Sequence, residues 1–237
     1  MIASGLGLTA LAVLVGWPAG GQRTAQRMAA VAAVASAICF TLAGARGLAG
    51  HEARFALDGW AGFGSASLNV DRLSALFLII ACGVAVPGLS AAGAFSGPRQ
   101  GRLMAALALT VASVAIILTA DNVFVLLFGW EALTVMFYLL IGFDRAKPGR
   151  ARASLVTVVF GKISGAALLL GALLIVARTH SFSLTTAGVD TQTALGQTAY
   201  ALLLGGFAIK VGLLPGHVWL PRGYAASPGP ARAVMAG

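Results

Sequence analysis

Seven stretches of this chain, at 2–19, 28–45, 73–95, 103–120, 122–143, 153–177 and 197–214, are long and apolar enough to cross a lipid bilayer, and an eighth begins near Pro230. A helical span needs about 20 apolar residues, and lipid offers no hydrogen bonds to a backbone that leaves its own unmade. Only 10% of the 237 residues are charged and 59% are hydrophobic, against roughly 25% charged in a soluble domain. The chain lacks the polar surface to face water on all sides. These facts dictate an all-α integral membrane protein of about seven transmembrane helices and the start of another.

The loop charges sort by side. Arg23, Arg27, Arg99, Arg102, Arg145, Lys147, Arg150, Arg152, Arg222 and Arg232 fall on one side, and Arg46, Arg54, Arg72 and Arg178 on the other. The positive-inside rule places the first group in the cytoplasm and the N-terminus outside. Arg23 and Arg27 follow the first apolar run, the reverse of a secretory signal, so that helix is read as retained in a bacterial plasma membrane. A net charge of +9 spread over short loops does not make a nucleic-acid surface. Cys39 and Cys82 sit inside apolar runs without a spacing motif and read as small core residues.

The connection between the fourth and fifth segments is only "ADN", so those helices are antiparallel neighbours, with Asp121 or Asn122 as the cap. Longer outward connections run over 46–72, which holds Asp58 and Asp71, and over 178–196. Gly161 with Gly165, and Gly212 with Gly216, make G-x-x-x-G patterns that let helices approach closely.

Two lysines, Lys162 and Lys210, and one carboxylate, Glu131, remain inside the spans. Rise per residue puts Glu131 about 15 Å from the outer end of its helix, Lys210 about 18 Å from the same side and Lys162 about 14 Å from the other. An ionised group at the bilayer centre costs about 2.5–3.5 kcal/mol on the gentlest scale. Such charges mark a static buried ion pair that fixes packing, or a proton relay. The sequence "GGFAIKVGLLPGHVWLP" favours the relay, because Pro215 and Pro221 break a helix beside Lys210 and His217 follows toward the cytoplasm. Thr134 and Tyr138 share a helix face with Glu131 and are candidates to bond its carboxyl, and Trp219 reads as an interface anchor.

The segments "FVLLFGWEALTVMFYLLIGF" and "GGFAIKVGLLPGHVWLPRGYAASPGPARAVMAG" resemble the antiporter-like, proton-translocating membrane subunits of respiratory complex I, the Mrp antiporters and the membrane-bound hydrogenases. The tail is most similar to the hydrogenase-4 component B branch. The resemblance implies an inverted-repeat fold of which this chain is the N-terminal half, with a discontinuous seventh helix. Residues 1–102 would be peripheral helices and 103–237 the first repeat, truncated in its eighth helix. It implies a proton-translocating subunit of a redox-driven hydrogenase or NADH-quinone oxidoreductase complex, beside other membrane subunits. Glu131 and Lys210 would form a switchable buried pair, with His217 and Lys162 as further proton-transfer residues. No cofactor is implied and redox chemistry would belong to partners, so the chain is not a catalyst by itself. The alternatives are a free-standing Mrp-type antiporter of protons and monovalent cations such as sodium, and a purely structural membrane subunit.

Overall fold

The computed structural model describes residues 1–18, 22–51, 53–57, 66–95, 97–184 and 190–236; Asp58 lies outside the described residues. The chain runs α1 (Ile2–Gly16), α2 (Arg23–Leu48), β1 (Ala53–Leu57), β2 (Ala66–Val70), α3 (Arg72–Ala94), α4 (Gln100–Thr119), α5 (Val123–Ile141), α6 (Arg150–Thr179), α7 (Ala194–Val211), a 3-10 turn (Gly216–Val218), α8 (Trp219–Ala226) and α9 (Gly229–Ala236). The expected all-α membrane class holds. Six helical segments are long and apolar enough to span, the last running from Ala194 to Ala226. The expected span at 2–19 is shorter, since α1 has 15 residues, about 22 Å against a hydrocarbon core of about 30 Å. Pro18, which has no N–H to extend the ladder, follows just beyond its end.

The helices form two groups joined at α4. Helices α1 to α4 pack on one another, while α5 packs on α4, α6 on α5 and α7 on α6 in succession. Small residues make this possible. The α4 face buries Ala105, Ala106, Ala108, Ala112 and Ala115, so neighbouring backbones approach closely. α7 is the least covered of the spanning segments, with Tyr200, Leu204 and Val211 exposed.

Within the 46–72 connection lies a feature the apolar pattern does not announce. β1 and β2 pair antiparallel, from Ala53 opposite Val70 to Leu57 opposite Ala66. Ser67, Leu68 and Val70 of β2 are buried over the end of the bundle, and Ser67 C=O accepts the N–H of Asp121 at 3.0 Å. Asn122 caps α5 by accepting from Phe124 N–H at 2.7 Å, and Asp71 caps α3 through Ser74 N–H. Asp121 instead pairs with Arg54 at 3.2 Å. At the opposite end Asp144 gathers Arg99, Lys147 and Arg150 at 3.3–3.9 Å. Cys82 is buried and Cys39 half-buried, both as free thiols.

Candidate functional site

The interior charges meet where α5, α6 and the end of α7 come together. Gly161 and Gly165 of α6 face α5 so closely that a Cβ at Gly165 would overlap the Glu131 carboxylate, and one at Gly161 the Thr134 side chain. That approach decides which base Glu131 meets. Lys162 Nζ donates to Glu131 Oε2 in an ion pair whose side chains are 57% and 38% exposed respectively.

The switchable buried Glu131–Lys210 pair expected from the sequence is therefore not present. Lys210 reaches the same region from α7, which packs chiefly on α6, and donates to Thr134 Oγ1 at 2.8 Å. Its ammonium lies 5.3 Å from the Trp130 ring centroid and 5.4 Å from that of Phe137, within cation–π range. Thr134 is 1% exposed and passes its own proton to Trp130 C=O at 3.0 Å, leaving a lone pair for the lysine. Similar depth on α5 and α7 did not make Glu131 and Lys210 partners, because helix proximity and glycine placement selected Lys162. No described hydrogen bond joins Tyr138 to Glu131 either; the Tyr138 hydroxyl accepts from Arg145.

α7 ends one residue beyond Lys210. Gly212 takes φ +77, Leu213 N–H bonds Ala208 C=O at 2.9 Å and Gly212 N–H bonds Ile209 C=O at 3.2 Å. This left-handed C-terminal cap needs glycine because a side chain there is strained. Lys210 thus sits in the last turn, where the negative end of the helix dipole favours a cation. Pro215 lies in the non-helical stretch before the 3-10 turn, and Pro221 stands in the first turn of α8, where proline fits. Trp219 is buried at 4% exposure rather than anchored at an interface: its Nε1 donates to Ile209 C=O at 2.9 Å and its ring lies against Phe137. His217 is on the 3-10 turn with a buried Nδ1 that has no hydrogen-bond partner among the described residues. No described hydrogen bond or ion pair joins His217 to Lys210, Lys162 or Glu131.

Sequence reading missed Ser164. Fully buried, it accepts from Trp130 Nε1 at 3.2 Å and donates to Gly206 C=O at 2.8 Å, so one hydroxyl ties α5, α6 and α7 together. Its only signal is its place in "GKISG" between two close-approach glycines. A cavity of about 10 Å³, bounded by Lys210, Thr134, Thr157, Phe137, Ile209 and Trp219, adjoins the lysine. It has room for about one water molecule. Among the described residues no three His, Cys, Asp or Glu side chains cluster to hold a metal ion.

Residues 120–237, which contain every one of these groups, match the family described as NADH:quinone oxidoreductase/Mrp antiporter, TM. The chain is 34% identical over 126 residues to NADH-quinone oxidoreductase subunit N of Geobacter metallireducens, covering 52% of this chain and 27% of that protein. It is 30% identical over 205 residues to subunit N 1 of Sorangium cellulosum, covering 81% of this chain and 40% of that one. In fold it is similar to a chain of the Mrp complex from Dietzia sp. DQ12-45-1b, with a TM-score of 0.82 at 22% identity over all of this chain and 26% of that one. The chain thus spans 40% or less of each of these proteins. On the family match and these identities, the chain belongs to the antiporter-like membrane-subunit superfamily shared by the Mrp complexes and the NADH:quinone oxidoreductases.

Proposed function

We propose that this chain is part of a proton-translocating membrane subunit of an Mrp-like or complex-I-like assembly, with Lys210 as the group that takes up and releases the proton. The observation that carries the reading is the setting of Lys210. It is an amine within a span, held by one hydroxyl and two aromatic rings, at the end of a helix and beside a cavity with room for one water. A cation this far from bulk water exchanges protons only through a few neighbouring groups. His217, with its free Nδ1 beyond the helix end, is the relay toward the arginine-rich side. Glu131 and Lys162 form a second, half-open station of the same route. The break after Val211 makes α7 and α8 one interrupted crossing, the seventh of the bundle, with its irregular backbone beside the small cavity at Lys210. Residues 103–237 begin the first repeat and 1–102 flank it, with the N-terminus outside and the arginine-rich loops in the cytoplasm of a bacterial plasma membrane. Other membrane subunits cover the exposed side of α7. Within the superfamily, the tail "HVWLPRGYAASPGPARAVMAG" favours the hydrogenase-4 component B branch.

The test uses the full-length parent protein in its native assembly, in membrane vesicles with a pH-sensitive dye and with sodium varied. Glu131→Gln, Lys162→Ala and His217→Ala each slow acidification while the assembly stays intact on native gels. Unchanged acidification in all three sinks the route. Loss of assembly in all three instead assigns these residues a structural role.

A further inference from the structure

We propose that the cleft between the start of α2 and the α3–α4 connection binds the phosphate headgroup of an anionic membrane phospholipid. The cleft has a volume of about 770 Å³ and is lined by Arg23, Gln26, Arg27, Phe95, Gly97 and Gln100, with further glycine, alanine and proline backbone. Its walls are fixed. Gln26 donates to Gly97 C=O at 3.0 Å and Gln100 to Gly93 C=O at 2.6 Å, which ties α2 to the connection and the start of α4 to α3.

Three electrostatic features of this cleft disfavour its own arginines. Arg23 and Arg27 are four residues apart on one helix, so like charges lie side by side. Both occupy the first turns of α2, where the helix dipole is positive and where no acidic residue stands. Neither makes an ion pair or side-chain hydrogen bond among the described residues. The described carboxylates are committed elsewhere: Asp71 to a helix cap, Asp121 to Arg54, Glu131 to Lys162, Asp144 to Arg99, Lys147 and Arg150, and Asp190 to Arg178. The basic residues at the same end of the bundle that lie near Asp144, Arg99, Lys147 and Arg150, have a counter-charge, and Arg23 and Arg27 do not. An anion in the cleft would relieve all three features at once.

The surroundings select a lipid as the source of that anion. Continuing along α2 from Arg27, the exposed apolar residues include Met28, Val31, Ile38 and Leu42, and Phe95 is exposed at the rim. Charge at the membrane boundary and an apolar stripe running into the hydrocarbon match a headgroup and its acyl chains. Basic pockets between helices on the cytoplasmic side suit anionic headgroups. This inference stands apart from proton transfer, since none of its residues touches Lys210 or Glu131.

The experiment uses the full-length parent assembly, delipidated and titrated with phosphatidylglycerol or phosphatidylcholine, with bound lipid counted by native mass spectrometry. Wild type retains one more phosphatidylglycerol per chain than phosphatidylcholine. Arg23→Gln with Arg27→Gln weakens that binding about 30-fold, from about fivefold per arginine. Arg23→Lys with Arg27→Lys retains most of it, and Arg46→Gln at the other end leaves it unchanged. Thermal stability supplies a second reading. The double glutamine variant matches or exceeds wild type in phosphatidylcholine and falls below it once phosphatidylglycerol is added. Equal retention of the two lipids by wild type, retention unaffected by the double variant, or displacement by millimolar inorganic phosphate each overturns the proposal. So does a cross-link from position 23 to an acidic partner segment with no lipid dependence.

Discussion

The two glycines before Lys210 provide a test with an internal control. A Cβ at Gly206 would lie 2.7 Å from Leu168 Cγ, 2.8 Å from its Cδ2 and 3.0 Å from Ser164 C=O, whereas one at Gly205 would meet nothing within 4 Å. Leu168 is 1% exposed and Ser164 C=O is backbone, so neither yields easily. Restoring ordinary contact moves α7 away from α6 by about 0.6 Å, and overpacking of this kind costs about 1–3 kcal/mol. Replacing glycine by alanine in a helix returns up to about 1 kcal/mol. Gly206→Ala therefore destabilises by a net of up to about 2 kcal/mol, while Gly205→Ala is neutral or stabilising by up to about 1 kcal/mol. Lys210 is one helical turn beyond Gly206, so the same displacement lengthens its 2.8 Å contact with Thr134. Thermal unfolding of the full-length protein in one detergent measures the first effect, and vesicle acidification the second. Gly206→Ala lowers both and Gly205→Ala lowers neither. Effects of equal size and sign in the two variants would refute the helix packing on which the site rests.

Other perturbations read different parts of the structure. Gly165→Ala places a methyl on the Glu131 carboxylate, so the Glu131–Lys162 pair must open; the variant unfolds at a lower temperature than wild type, and the loss shrinks in a Glu131→Ala background. Trp219→Phe keeps the ring near Phe137 but loses the bond to Ile209 C=O, costing about 0.5–1.5 kcal/mol because that carbonyl still accepts from Gly212. Trp219→Ala costs about 3–5 kcal/mol, and denaturant titration separates the two. Asp190 is held below the usual carboxylate range by the Gln192 N–H first and by Arg178 next. Its folded value lies below its unfolded one, so its stabilising effect is complete above the ordinary carboxylate range and disappears as pH falls through the folded value. Proteolysis of the 178–196 connection stays constant down to about pH 4 and rises below it, and Asp190→Asn removes the protection at neutral pH.

Membrane class and most helix positions were legible in the sequence because uninterrupted apolar length is a strong signal and lipid permits few alternatives. The strand pair at 53–57 and 66–70 was not, since short strands of mixed polarity carry no apolar run. The identity of the interior charges was legible too, since Glu131, Lys162 and Lys210 stand out against their neighbours. Their pairing was not, because rise per residue gives depth along a helix and says nothing about which helices touch. Gly161 and Gly165 held that information as a close-approach pattern, which 31 glycines in the chain made hard to separate from chance. Trp219 was misread as an interface anchor for a related reason. Its burial depends on the α7 break folding back so that Ile209 C=O needs a donor.

In the proposed function Lys210 carries the proton. The most direct measurement is proton transfer by the full-length protein in its native assembly, reconstituted into vesicles, comparing Lys210→Ala with wild type. With Lys210 as the proton carrier, transfer is lost in Lys210→Ala while the assembly remains intact, and Gly205→Ala vesicles behave as wild type. Full-rate proton transfer by Lys210→Ala would contradict it.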